Sequence, residues 1–137
     1  ALGQQEHWLL DTDEVELLPD RVLGEGGFGL VLMGLSCGTP VAVKLVLDKH
    51  SNTMAQRLST LANEIRILRH LRHPNIVGIH GAVVDIGRQL VGLVLEMVQG
   101  RTVADFLGLV PGGQEEVPEH GARYQVCLGV RRAFLYL

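Results

Sequence analysis

The stretch Leu23-Gly24-Glu25-Gly26-Gly27-Phe28-Gly29-Leu30-Val31 sets Gly24, Gly26 and Gly29 at the spacing G-x-G-x-x-G. Backbone freed from Cβ sterics can bend tightly and bring its amides close to a phosphate. Dinucleotide-binding loops share this spacing, but there a helix opens directly after the glycines and points its N-terminus at the pyrophosphate. Here Leu30-Val31-Leu32-Met33-Gly34-Leu35 has neither helical period nor cap, and it runs into Ser36-Cys37-Gly38-Thr39-Pro40. The pattern predicts strand, glycine loop, strand, turn, strand: a hairpin folded over a ligand. A nicotinamide-dependent oxidoreductase, the competing reading, requires a helix from Leu30.

Two charged residues fall inside apolar patterns. Residues 39–47 read as a strand with Val41, Val43, Leu45 and Leu47 on one face and Ala42, Lys44 and Val46 on the other. A lysine there must snorkel to water or meet an anion. Residues 51–71 have the clearest helical period, with Leu58, Leu61, Ile65, Leu68 and Leu71 in one stripe and Ser51, Asn52 or Thr53 as cap. Glu64 lies within that stripe, so its carboxylate needs a partner. Lys44 and Glu64 are therefore expected to meet, either as a structural salt bridge or as a pair that grips an anion.

The remaining elements position these groups. Residues 17–47 are expected to form three antiparallel strands, the second over 28–35. His73-Pro74-Asn75-Ile76-Val77 must turn, since proline disfavours helix in the residue before it. Residues 78–84 and 89–98 read as a hairpin around Asp85-Ile86-Gly87-Arg88. A short helix capped by Thr102 follows, then a loop over 111–116, then a helix over 118–137 with Pro118 in its first turn. Residues 1–16 read as a flanking segment, with Trp8 either packed on the domain or part of a poorly ordered terminus.

Taken together, L-G-E-G-G-F-G-L-V, V-A-V-K, H-P-N-I-V and the run Leu93-Val94-Leu95-Glu96-Met97-Val98-Gln99-Gly100 resemble the protein kinase family. The resemblance implies an α+β fold, a five-stranded antiparallel sheet with one long helix, followed by the first two helices of a large lobe. It divides the chain into a flanking segment (1–16), an ATP-binding lobe with its hinge (17–100) and the start of the helical lobe (101–137). It also implies roles. Leu23, Val31 and Ala42 sandwich the adenine from above. Gly24, Gly26 and Gly29 hold amides over the phosphates in a loop shared with Glu25 and Gly27, and Phe28 shields them at the tip. Lys44 grips the α- and β-phosphates while Glu64 positions it. Leu95 takes the gatekeeper position, and the backbone of Glu96 and Val98, with Met97 between, bonds the adenine edge.

The implied cofactor is ATP. Mg²⁺ is expected in the complete enzyme, with its ligands outside these residues, because the sequence contains no H-R-D, D-F-G or A-P-E motif. The chain alone is thus expected to be inactive. In the complete protein the γ-phosphoryl group would pass to a protein hydroxyl, with Ser/Thr preferred to Tyr from the look of H-P-N-I-V-G-I-H-G. The alternative is a non-catalytic kinase-like module that binds nucleotide or protein; an intact Lys44, Glu64 and glycine loop favour the enzyme.

Composition bounds these readings. The 137 residues are 47% hydrophobic and 20% charged, enough for a core, and a net charge of −3 argues against a nucleic-acid footprint or a polybasic membrane patch. Residues 90–98, the longest apolar run, are too few to span a bilayer and include Glu96. Cys37 and Cys127 show no paired pattern, which points to a reduced intracellular, cytoplasmic setting. A first residue of Ala1 rather than Met, with no visible signal peptide, suggests a partial or processed chain. His70 and His73 lack a third ligand at suitable spacing and read as cations at a helix end rather than a metal site. The apolar face of 118–137, uncovered in isolation, is expected to favour self-association.

Overall fold

A computed structural model describes residues 8–26, 29–46, 53–109 and 119–137. The chain divides into two units, Ala1–Arg72 with Val77–Met97, and His73–Ile76 with Val98–Leu137. In the first unit the strands are β1 (Leu9–Leu10), β2 (Val15–Gly26), β3 (Gly29–Ser36), β4 (Thr39–Leu45), β5 (Ile79–Asp85) and β6 (Leu90–Glu96), and the helix is α1 (Met54–Leu68).

The strands form one sheet in the order β1-β5-β6-β4-β3-β2. Five of them are antiparallel, as expected. The sixth, β1, adds two residues parallel to β5, in register Leu9↔Ala82 and Leu10↔Val83. Part of the segment read as flanking therefore belongs to the sheet, and β2 begins at Val15, two residues before the expected start. The β3–β4 turn is a two-residue loop with both residues at positive φ, Cys37 at 48° and Gly38 at 79°, the twist that suits a tight hairpin. Regular pairing in β2 breaks between Leu18 and Val22, around Pro19, which has no N–H to give.

Alternation along the strands makes two cores, one on each face. Val46, Leu61, Ile65, Ala82, Val91 and Leu93 form the cluster under α1, with Trp8 and Met54 packed against it. Val15, Val41, Val43, Val83 and Val94 form the other, with Leu10 and Leu17 at its margin. Val46 and Val43 thus fall on opposite faces, as the period of two requires.

Thr53 caps α1 by accepting from Gln56 N–H; Ser51 and Asn52, the other cap candidates, lie outside the described residues, as does Leu47. The buried stripe of α1 is Leu61 and Ile65, flanked by Met54 and Leu68. Leu58, expected in that stripe, is 37% exposed, and Leu71 lies beyond the helix end. At about 100° per residue, Leu58 and Glu64 fall on opposite rims of a stripe centred near Leu61. Arg57 takes the inward place and donates Nη1–H to the carbonyl of Gln89 at 3.1 Å.

In the second unit, α2 (Val103–Phe106) carries the expected cap: Asp105 N–H donates to Thr102 Oγ1 at 3.1 Å, and Thr102 N–H to the Asp105 carboxylate at 3.3 Å. The last helix, α3 (His120–Tyr136), buries no residue. Phe134, Leu135 and Leu137 are 71%, 73% and 71% exposed. Within the same unit, the His73 and Tyr136 rings lie 5.2 Å apart, and His73 Nδ1 accepts from Asn75 N–H. The loop expected over 111–116 and Pro118 fall outside the described residues.

Candidate functional site

The site begins with strand register. Gly24 pairs with Val31, Val31 with Lys44, and Lys44 with Leu93. Residues directly opposed across antiparallel strands share a face, so Val31, Lys44 and Leu93 project to the side that carries α1. So do Met33, Ala42 and Leu95, paired in the next row. The helix packs on β5 and β6, and Val31, Met33 and Ala42 are half-buried on the β3–β4 part of this face. An apolar shelf thus lies beside the lysine.

At the seam between shelf and helix, Lys44 Nζ donates to both carboxylate oxygens of Glu64, at 2.9 and 3.0 Å. The side chains are 22% and 31% exposed. Such a half-solvated pair adds little to stability, because water screens it and holding two long side chains costs entropy. Its clear effect is orientation. The ammonium faces both oxygens of one carboxylate, and the Lys44 side chain is held against the rim of α1.

The glycine hairpin continues two strands of this row. Strands β2 and β3 stay paired to Gly26↔Gly29. Gly29 has φ 115°, a conformation that disfavours any side chain. Gly24 differs: its φ is not in that range, and a Cβ placed on it would meet nothing within 4 Å. Glu25 pairs with Leu30, while Gly27 and Phe28 lie outside the described residues. Leu23 is the extra residue of a bulge, since Val22 pairs with Leu32 and Gly24 with Val31. Bulges re-aim side chains, and this one leaves Leu23 43% exposed.

At the far end of the row, Leu95 is half-buried against the α1 core. Glu96 pairs with Val41 on β4. On its other side, Glu96 N–H donates to the Gly78 carbonyl, and Gly78 N–H donates to Glu96 Oε2, both at 2.9 Å. Met97 ends the first unit, and Val98 belongs to the second and is 59% exposed. The sequence assigns Glu96 a backbone role alone, and its side-chain bond to Gly78 N–H, 18 residues away, leaves no sequence signal.

The dinucleotide reading fails on the strand that begins at Gly29. Nor do the residues present fit a Mg²⁺ site: among the described residues no three His, Cys, Asp or Glu side chains converge, and both Glu64 oxygens engage Lys44. No helix among the described residues is long and apolar enough to cross a membrane. Cys37 and Cys127 are both free and exposed.

This combination, a glycine hairpin in a sheet whose lysine is paired to the neighbouring helix, defines a class. The family model for the protein kinase domain matches residues 18–137, and the chain belongs to that family. It is 36% identical over 120 residues to an Arabidopsis thaliana leaf rust 10 disease-resistance locus receptor-like protein kinase-like protein (1.2), covering 87% of this chain and 18% of that protein. A probable LRR receptor-like serine/threonine-protein kinase of the same plant is 37% identical over 117 residues, 84% of this chain and 10% of the relative. The plant's receptor-like cytosolic serine/threonine-protein kinase RBK1 is 32% identical over 120 residues, 87% and 24%. The chain thus spans less than a quarter of each of these relatives.

Proposed function

We propose that this chain is the ATP-binding part of a serine/threonine protein kinase, which in the whole protein transfers the γ-phosphoryl group of ATP to a protein hydroxyl. The observation that carries the reading is the Lys44–Glu64 pair, set in the same strand row as Gly24 and beside a half-buried apolar shelf. Leu23, Val31 and Ala42 offer the shelf to the adenine. Lys44 holds the α- and β-phosphates, and Glu64 keeps Lys44 in place. The amides of Gly24, Gly26 and Gly29 cover the phosphates, with Phe28 over them. Leu95 limits access behind the base, and the backbone of Glu96, Met97 and Val98 meets its edge.

The open space above Gly24 supports this reading. Among the described residues neither packing nor backbone strain calls for glycine there, whereas a polyphosphate lying against the strand does. Serine/threonine specificity is supported by the likeness to plant serine/threonine-protein kinases. Mg²⁺ enters with the nucleotide in such enzymes. These 137 residues alone are expected to transfer no phosphoryl group, since the motif that accepts the hydroxyl proton is not among them.

Calorimetric titration with ATP tests the proposal. Saturable binding by the wild type, lost in Lys44→Met, supports it. Heats indistinguishable from dilution, in a protein that melts cooperatively, refute it.

A further inference from the structure

We infer that Arg57 is a positioning residue: its bond to the β5–β6 turn braces α1 so that Glu64 reaches Lys44. The inference rests on the nucleotide reading and extends it to what keeps the partner of the lysine in place. Leu61 and Ile65 seat α1 on the sheet, but apolar contact is non-directional and leaves a helix free to roll about its seam. Directional bonds oppose the roll. Glu64 accepts from Lys44, and Arg57 Nη1–H donates to the Gln89 carbonyl at 3.1 Å. Arg57 and Glu64 stand two helical turns apart, so at about 100° per residue they lie about 20° from each other, on one side of the Leu61 stripe. A helix tied at both points cannot roll. Tied at Glu64 alone it can, and it takes the carboxylate with it.

The anchor that Arg57 uses is itself well fixed. The β5–β6 ladder bulges at His80, since Ile79 pairs with Leu95 and Gly81 with Val94, and then runs without a shift from Gly81 to Asp85. Its turn is closed by Arg88 N–H donating to Asp85 Oδ1 at 3.0 Å and by Gln89 N–H donating to the Ile86 carbonyl at 3.2 Å. Gln89 has φ 52°, a left-handed conformation uncommon in a residue with a side chain. Arg57 meets its carbonyl although the Arg57 Nε–H is buried with no hydrogen-bond partner among the described residues. Leaving a buried donor unsatisfied costs stability, so packing alone does not account for an arginine here.

The test is displacement of a fluorescent ATP analogue by ATP from the intact protein and its variants. Arg57→Met keeps the aliphatic stem and removes the donors; it is expected to weaken ATP about threefold, part of what one hydrogen bond contributes. Arg57→Lys keeps a donor and should recover part of that loss. In Glu64→Gln, whose hold on Lys44 is already loosened, adding Arg57→Met should cause no further loss, because Arg57 acts through Glu64. A merely structural role would weaken ATP alike in both backgrounds. Gln89→Val opposes the left-handed backbone that presents the carbonyl and should shift ATP as Arg57→Met does; it carries the test should Arg57→Met fail to melt cooperatively. A wild type that binds ATP, with Arg57→Met and Gln89→Val at wild-type affinity or with equal losses in the two backgrounds, overturns this inference alone. A wild type that binds no ATP overturns the nucleotide reading and this inference with it.

Discussion

Lys44 Nζ lies 2.9 and 3.0 Å from the two carboxylate oxygens of Glu64, joining the fourth strand of the sheet to the helix packed on it. Both side chains keep some contact with solvent, 22% and 31% exposed, so the pair holds a geometry more than it holds the fold. Lys44→Met is therefore expected to change unfolding free energy by no more than about 1 kcal/mol. The same variant should lose at least about tenfold in ATP affinity, because charge-assisted bonds to phosphate are lost. Thermal melting and calorimetric titration on one preparation separate the two effects. A large drop in melting temperature with affinity retained would reverse this assignment.

The two ends of the glycine hairpin should respond oppositely to substitution. Gly29 sits at φ 115°, so Gly29→Ala is expected to cost about 1–3 kcal/mol of stability through backbone strain. Gly24 has open space around its missing Cβ, so Gly24→Val should fold normally yet exclude nucleotide. Denaturant unfolding and ATP titration of both variants check this. Equal losses of stability would contradict it.

On the helix, position within the stripe should decide cost. Leu61 is 2% exposed and Leu58 37%. Leu61→Ala is expected to destabilise by about 2–5 kcal/mol through transfer and cavity costs, while Leu58→Ala should stay within about 1 kcal/mol. Chemical denaturation of the two variants measures the contrast.

Much of this was legible in the sequence because a charge inside an apolar period is conspicuous. Lys44 and Glu64 each broke a pattern, and opposite signs suggested that they pair. Other features leave no such trace. The strand Leu9–Leu10 joins the sheet through main-chain bonds of two residues, too few to show a period. The bulges at Leu23 and His80 depend on what the neighbouring strand does, which composition does not encode. Leu58 matches the helical spacing but lies on the rim, with Met54 nearer the core. Glu96 looked like a backbone contact only, since a side chain bonded to a distant amide has no sequence signature.

The last helix predicts a solution property. Phe134, Leu135 and Leu137 are 71%, 73% and 71% exposed, and large apolar side chains left in water favour association. The isolated 137-residue chain is expected to self-associate with rising concentration in light scattering, and Phe134→Glu with Leu135→Glu to reduce this. A monomer at all concentrations for the unmodified chain would count against it.

The central claim, that Lys44 holds the phosphates of a bound nucleotide, is tested most directly by an acyl-phosphate derivative of ATP, which acylates a lysine amine beside the phosphates as ATP departs. The sequence has only two lysines, Lys44 and Lys49, so peptide mass spectrometry assigns the label without ambiguity. The account predicts modification at Lys44, suppressed by excess ATP and abolished in Lys44→Arg. Labelling that ATP does not suppress, or that falls on Lys49 alone, would contradict it.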